Sequence, residues 1–265
     1  MYEFEYRRPG SLAEALDALQ AAPEGRFLAG GQTLLPTLKQ RLASPSDLID
    51  LAEIAELRGI ATDGDAVVIG AMTRHADVAA SADVQGKIPA LAALAGDIGD
   101  RQVRNRGTIG GSVANNDPAA DYPAACLALG ATIKTSTREI AADDFFTGLF
   151  ETALGEDELV TSVRFPAPVK AAYMKFKNPA SRYAIVGVFV ARAADGVRVA
   201  VTGAGAGGVF RVPEMESALA ANFSASAIEG IAIPADDLNS DIHASAEYRA
   251  HLVGVMARRA VAACG

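Results

Sequence analysis

Two stretches of this chain concentrate groups able to hold an anion: Ala29-Gly30-Gly31-Gln32-Thr33 and Thr108-Ile109-Gly110-Gly111-Ser112. Each sets paired glycines beside hydroxyl side chains, and the first adds an amide. Unpaired backbone N–H groups gather at a helix start, at the positive end of its dipole. Glycine lets the backbone approach an anion closely and take positive φ where needed. Neither turn carries G-x-G-x-x-G or G-K-[ST], so neither is a Rossmann fingerprint or a P-loop.

Magnitudes favour the pair over either turn alone. A helix terminus contributes at most about 1–2 kcal/mol, and a hydrogen bond to a charged group about 1.5–3. Nanomolar binding takes roughly −12 kcal/mol, so one turn cannot hold a nucleotide tightly. Two turns closing on a diphosphate can, with buried rings adding the rest. From the residues alone, two readings stand: structural turns, or the halves of a dinucleotide diphosphate cradle.

The elements that would position these turns are legible. Ser11 and Glu14 form a capping box ahead of the helix 11–22, with Leu12, Ala15, Leu16 and Leu19 at helical spacing. A strand RFLAG, a helix LLPTLKQRLA and a strand at 47–51 make a β-α-β unit around the first turn. A strand at 66–72, a helix at 74–81 and a helix through 87–99 lead to the second. Asp117 as N-cap and Pro118 at the first helical position predict a helix start there. ATIKTS and ELVTSVRFP read as strands, and Pro166 and Pro168 mark a boundary. Beyond it, β-branched strands flank Asp195-Gly196 in a hairpin, glycines 203, 205, 207 and 208 form a connection, and an amphipathic helix spans 245–263.

With 265 residues, 50% of them hydrophobic, the chain can build a large core. A net charge of −8 argues against nucleic acid as the main partner. The apolar run YAIVGVFVA is too short to span a bilayer. The N-terminus lacks a secretory pattern, and a cytoplasmic setting is expected, any membrane contact being peripheral and made through partners. Cys126 and Cys264 are far apart, so no iron–sulfur or zinc site is expected on this chain. His75, His243 and His251 form no ligand cluster, Asp143 and Asp144 read as a charged helix start, and Cys126 reads as core. Arg101, Arg104 and Arg106 suit either a solvated loop or a docking patch.

The blocks LAGGQTLLPTLKQRLASPSDLIDL, IGAMTRHADV, QVRNRGTIGGSVANNDPAADYPA and DIHASAEYRAHL together resemble, in order, the FAD-binding medium subunit of molybdenum hydroxylases. That is the carbon monoxide dehydrogenase and xanthine dehydrogenase family. The resemblance implies an α+β protein: a two-lobed α/β FAD-binding domain of the PCMH type, then a smaller α+β domain with an antiparallel sheet. The lobes are expected at 1–55, 56–167 and 168–265. FAD would lie between the first two, with Ala29, Gly30, Gly31, Gln32 and Thr33 as one loop and Thr108, Ile109, Gly110, Gly111 and Ser112 as the other. Asp121 matches a carboxylate that hydrogen-bonds the cofactor. Lys177 and Tyr183 fall where the family has residues near the isoalloxazine ring, and a lysine there would raise the flavin potential. Thr33 stands where serine is usual, and Asp100, Asn115 and Asn116 also depart from the common pattern.

The implied activity is that of an oxidoreductase subunit. Electrons would pass from a molybdenum centre on a large partner, through [2Fe–2S] clusters on a small partner, to FAD here, then to a quinone, NAD or another acceptor. A dimer of heterotrimers is the implied assembly. Alternatives are a stand-alone FAD-dependent reductase or oxidase, and a non-catalytic nucleotide-binding assembly module.

Overall fold

The computed structural model describes residues 1–264. In the first lobe β1 (Glu5–Arg7), α1 (Leu12–Ala21), β2 (Gly25–Leu28), α2 (Leu34–Lys39) and β3 (Asp47–Asp50) build a parallel sheet in the order β1-β3-β2. Ser11 accepts the Glu14 N–H at 3.2 Å and starts α1. The apolar face of α1, with Ala15 fully buried, packs on Ile49, Leu51, Ile54 and Leu57. The β-α-β unit is as the sequence pattern describes it. β1 is an addition: its three residues are all exposed, so no hydrophobic period announces it.

Two 3-10 turns lead to the second lobe, whose elements are β4 (Ile60–Asp63), β5 (Ala66–Gly70), α3 (His75–Ala80), α4 (Ala82–Lys87), α5 (Pro89–Gly96), α6 (Arg101–Arg104), α7 (Ile109–Asn115), α8 (Tyr122–Leu129), β6 (Thr132–Thr135), β7 (Glu139–Ala141), α9 (Ala142–Phe145), β8 (Phe146–Gly148), β9 (Glu151–Thr152) and β10 (Val160–Phe165). The sheet runs β4-β5-β10-β6-β7, antiparallel throughout. Every residue of α8 is buried, so this helix forms the centre of the largest core rather than an amphipathic cover.

The start of α8 is displaced from the Asp117-Pro118 signal. Asn116 ends α7 in the left-handed conformation at φ 43°, and Asp117 accepts the Ala119 N–H at 2.8 Å, closing a turn. The helix then begins after Asp121, with Pro123 in its first turn. An Asx turn has taken the residue that the cap signal assigned to the helix.

The third lobe is an antiparallel meander of β11 (Lys170–Lys177), β12 (Ala184–Ala193), β13 (Gly196–Thr202) and β14 (Phe210–Arg211), covered by α10 (Pro213–Ala221) and α11 (Ala246–Ala263). The expected hairpin joins β12 to β13, with Ala193 paired to Gly196. Gly203 to Gly208 spells G-x-G-x-x-G after β13, yet opens onto β14 and not onto a helix. A side chain on Gly203 would meet the Ala184 carbonyl at 2.5 Å, so this glycine serves close packing. Phe189, Ala191 and Ala200 join the α8 core, and Thr202 donates to the Ala120 carbonyl at 2.6 Å. The third lobe is thereby fixed beside the segment that carries Asp121.

Candidate functional site

Both glycine turns stand at strand or loop ends facing one cleft. In the first, β2 ends at Leu28 and Gly31 takes φ 72°, a conformation that turns the chain into α2 at little steric cost only for glycine. A Cβ on Gly30 would lie 2.3 Å from the Arg106 carbonyl oxygen and 2.7 Å from Gly107 Cα. The first lobe therefore touches the approach to the second turn backbone to backbone. One on Gly111 would lie 3.5 Å from Ala29 Cβ, so the two turns are side by side.

Their amides differ. Among the described residues, the N–H groups of Gly30, Gly31 and Gln32 donate to no protein acceptor. Gln32 and Thr33 are exposed, and Thr33 makes no side-chain cap. In the second turn Ile109 N–H donates to Thr73 at 3.1 Å, Gly110 to Ala71 at 2.8 Å and Ser112 to the Thr108 carbonyl at 3.0 Å. The Thr108 hydroxyl accepts the Gly111 N–H at 3.2 Å. The two turns therefore present different groups to the cleft. The first turn offers open amides, whereas the second offers shape and the Ser112 hydroxyl. The Ile109 side chain is fully buried in the core and does not line the cleft.

The cleft has a volume of about 870 Å³, within the range of cofactor sites. All three lobes line it: Ala29 to Thr33 from the first, Thr108, Gly110, Gly111, Ser112 and Asp121 from the second, and Tyr183 from the third. Phe150, at the tip of the β8–β9 hairpin, also lines it, half-exposed and at φ 56°. Such a backbone is unfavourable for a bulky residue. Asn116 holds the hairpin, its side-chain amide donating to the Gly148 and Glu151 carbonyls at 2.9 and 2.8 Å. No sequence signal singles out Phe150, because only the fold carries a hairpin 35 residues past the second turn back over it.

Asp121 is 5% exposed. Its Oδ1 accepts from the Tyr173 hydroxyl at 2.5 Å and pairs with Lys175 Nζ at 3.0 Å. Burial pushes its carboxyl up, against the opposing pull of Lys175 and Tyr173. Tyr183 lines the cleft, and burial followed by the nearby Asp117 and Asp121 raises its phenol. Lys177 is not in the cleft lining; its Nζ pairs with Asp97 Oδ1 at 2.8 Å on the outside. The lysine that comes close to the site carboxylate is Lys175, whose side chain is 1% exposed. Plain alternation along β11 would put the two on one face, and the register shift between Phe176 and Lys177 separates them.

His75 is a further lining residue. Burial, and then the positive charge of Arg104, lowers its pKa to about 4, so the ring is neutral at pH 7. Its Nδ1 and the Tyr122 hydroxyl are buried without a partner, and the two rings lie 5.4 Å apart. Among the described residues no group of three or more His, Cys, Asp or Glu is placed to hold a metal, and no helix is long and apolar enough to cross a membrane.

Comparison with known proteins is consistent with this geometry. A family model described as the FAD binding domain in molybdopterin dehydrogenase matches residues 2–168. The chain is 38% identical to the carbon monoxide dehydrogenase medium chain of Hydrogenophaga pseudoflava, over 97% of this chain and 96% of the relative. It is 38% identical to the nicotine 6-hydroxylase medium subunit of Paenarthrobacter nicotinovorans, over 98% and 96%. The solved carbon monoxide dehydrogenase from Hydrogenophaga pseudoflava lacking the Mo-pyranopterin moiety superposes with a TM-score of 0.88 at 37% identity, covering 99% of this chain and 97% of that one. With both glycine turns meeting at one cleft inside the matched region, the chain belongs to the molybdenum hydroxylase family, as an FAD-binding medium subunit of the carbon monoxide dehydrogenase and xanthine dehydrogenase type.

Proposed function

We propose that this chain carries FAD in the three-lobed cleft and passes electrons through it within a molybdenum hydroxylase complex. The observation that carries the reading is the contact of Gly30 with the Arg106–Gly107 backbone, which leaves three open amides beside the second glycine turn. Gly30, Gly31, Gln32 and Thr33 would hold the diphosphate, with Thr108, Gly110, Gly111 and Ser112 as the opposing wall. Asp121 and Tyr183 would orient the rest of the cofactor; Lys177, on the outer face, is given no such role. When bound, FAD supplies the ability to accept electrons singly or in pairs, and the protein supplies orientation, charge and exclusion of water.

The partners would be a small subunit with [2Fe–2S] clusters and a large subunit with the molybdenum cofactor, assembled as a dimer of heterotrimers in the cytoplasm. Electrons would leave to a quinone, NAD or another acceptor. Lobe boundaries near residues 55 and 167 belong to the same reading. The relatives named as medium subunits support it, as do the open amides of the first turn at the cleft. An absorption spectrum of the purified chain after reconstitution with FAD and desalting is the test. A retained flavin that bleaches with dithionite is expected; a colourless chain, with folding verified by circular dichroism, would refute the reading.

A further inference from the structure

Lys175 and Asp121 form an ion pair across the junction of two lobes, at the wall of the cleft. Asp121 precedes α8 in the second lobe, while Lys175 and Tyr173 lie on β11 of the third. Both recorded contacts of the carboxylate fall on one oxygen, Oδ1. Oδ2 has no hydrogen-bond partner among the described residues, and Asp121 lines the cleft. One oxygen is therefore anchored by the third lobe and the other is left for a donor in the cleft.

We propose that Lys175 is a positioning residue that keeps Asp121 ionised and oriented as an acceptor for a hydroxyl donor of the bound dinucleotide, so that the third lobe sets the charge of the cleft wall. This rests on the reading of the cleft as an FAD site. The lysine also ties the end of α5 to this junction. Its Nζ donates to the Asp97 carbonyl at 2.8 Å and is 3.7 Å from the Asp97 carboxylate, both at the C-terminal end of α5. Burying a carboxylate without a counter-charge is costly, and a group so placed takes a proton instead. Protonated, Asp121 would turn from acceptor to donor and lose the bond it offers. The other ionisable groups facing it are Tyr173 on β11, Asp97 at the end of α5, Tyr122 at the start of α8 and Tyr183 on the β11–β12 loop. Lys175 is the cation that touches it.

The test uses the full chain labelled with 13C at aspartate Cγ, without FAD, and then FAD affinity by fluorescence across pH 5 to 9. Asp121→Asn identifies the carboxyl signal by its disappearance. In Lys175→Gln the Asp121 midpoint should rise by about one pH unit or more, and FAD affinity should begin to fall at a correspondingly higher pH, to about tenfold weaker within the window opened. Lys175→Arg should restore both profiles, and Asp121→Asn/Lys175→Gln should show neither shift. An unmoved carboxyl midpoint overturns the proposal. So does a moved midpoint with an unchanged affinity profile, or a loss of affinity that is the same at every pH. Should the Lys175 variants not fold, Tyr173→Phe carries the test, with a smaller shift in the same direction; superimposed profiles would overturn the idea. A folded wild-type chain that never binds FAD, its carboxyl titration still readable, would instead show that the cleft reading has failed and the proposal with it.

Discussion

The two glycine turns look alike in sequence and are built for different work. Around Gly30-Gly31 the amides are open, the neighbouring side chains are exposed and the following helix has no side-chain cap. Around Gly110-Gly111 the amides are spent on Thr73, Ala71 and Thr108, and the turn is buried against β5 and its extension. One is a surface of open donors ahead of a helix without a side-chain cap. The other is a keystone that fixes where that surface can stand. Similar residue types therefore do not imply similar roles; what matters is whether the backbone donors are already engaged.

The sharpest way to break this contrast is Gly110→Val. Its Cβ would sit 2.5 Å from Ala71 Cβ and 2.8 Å from the Ala71 carbonyl. Overpacking of that kind costs about 1–3 kcal/mol or more. We expect complete loss of retained FAD together with a lower urea midpoint. An unchanged midpoint would deny the keystone role.

Acid should act on the keystone side as well. His75 lines the cleft against Gly107, and its folded-state pKa of about 4 lies below its ordinary value. The unfolded chain then binds more protons between pH 6.5 and 4, so stability falls as the pH falls through that window, by about 3 kcal/mol at its lower end. In His75→Phe that limb of the stability–pH profile should flatten, which equilibrium unfolding at pH 7 and pH 4.5 would reveal.

A matched pair of substitutions compares the two turns directly. Thr108→Val removes a cap and should cost about 1 kcal/mol. Thr33→Val removes none and should leave the unfolding midpoint within error. Equal losses would erase the distinction. The smallest expected stability effect is that of Gln32→Ala, an exposed site: no measurable change in folding, but several-fold weaker FAD binding by fluorescence titration.

Local signals carried much of the fold. Ser11 and Ser245 cap α1 and α11 as their residue types suggest, and the hairpin beside Asp195-Gly196 forms as its composition requires. These are interactions within a few residues, so the sequence displays them. The pattern failed where two local devices competed: Asp117 suits both an N-cap and an Asx turn, and the left-handed Asn116 before it favours the turn. It was silent on β1, which buries nothing, and on the strand order β4-β5-β10-β6-β7, in which β10 crosses in from 90 residues away to lie beside β5.

The candidate site divides in the same way. By itself the sequence determined that two glycine-rich turns exist, that no metal-ligand spacing accompanies them, and that the blocks around them belong with FAD-binding medium subunits. Only the tertiary structure decided that the turns meet, that one is open and the other engaged, and that Lys175 rather than Lys177 faces Asp121. Residue type and spacing fix which groups a segment can offer. Which of those groups stay free depends on partners far away in the chain, and a pattern read along the chain has no access to them.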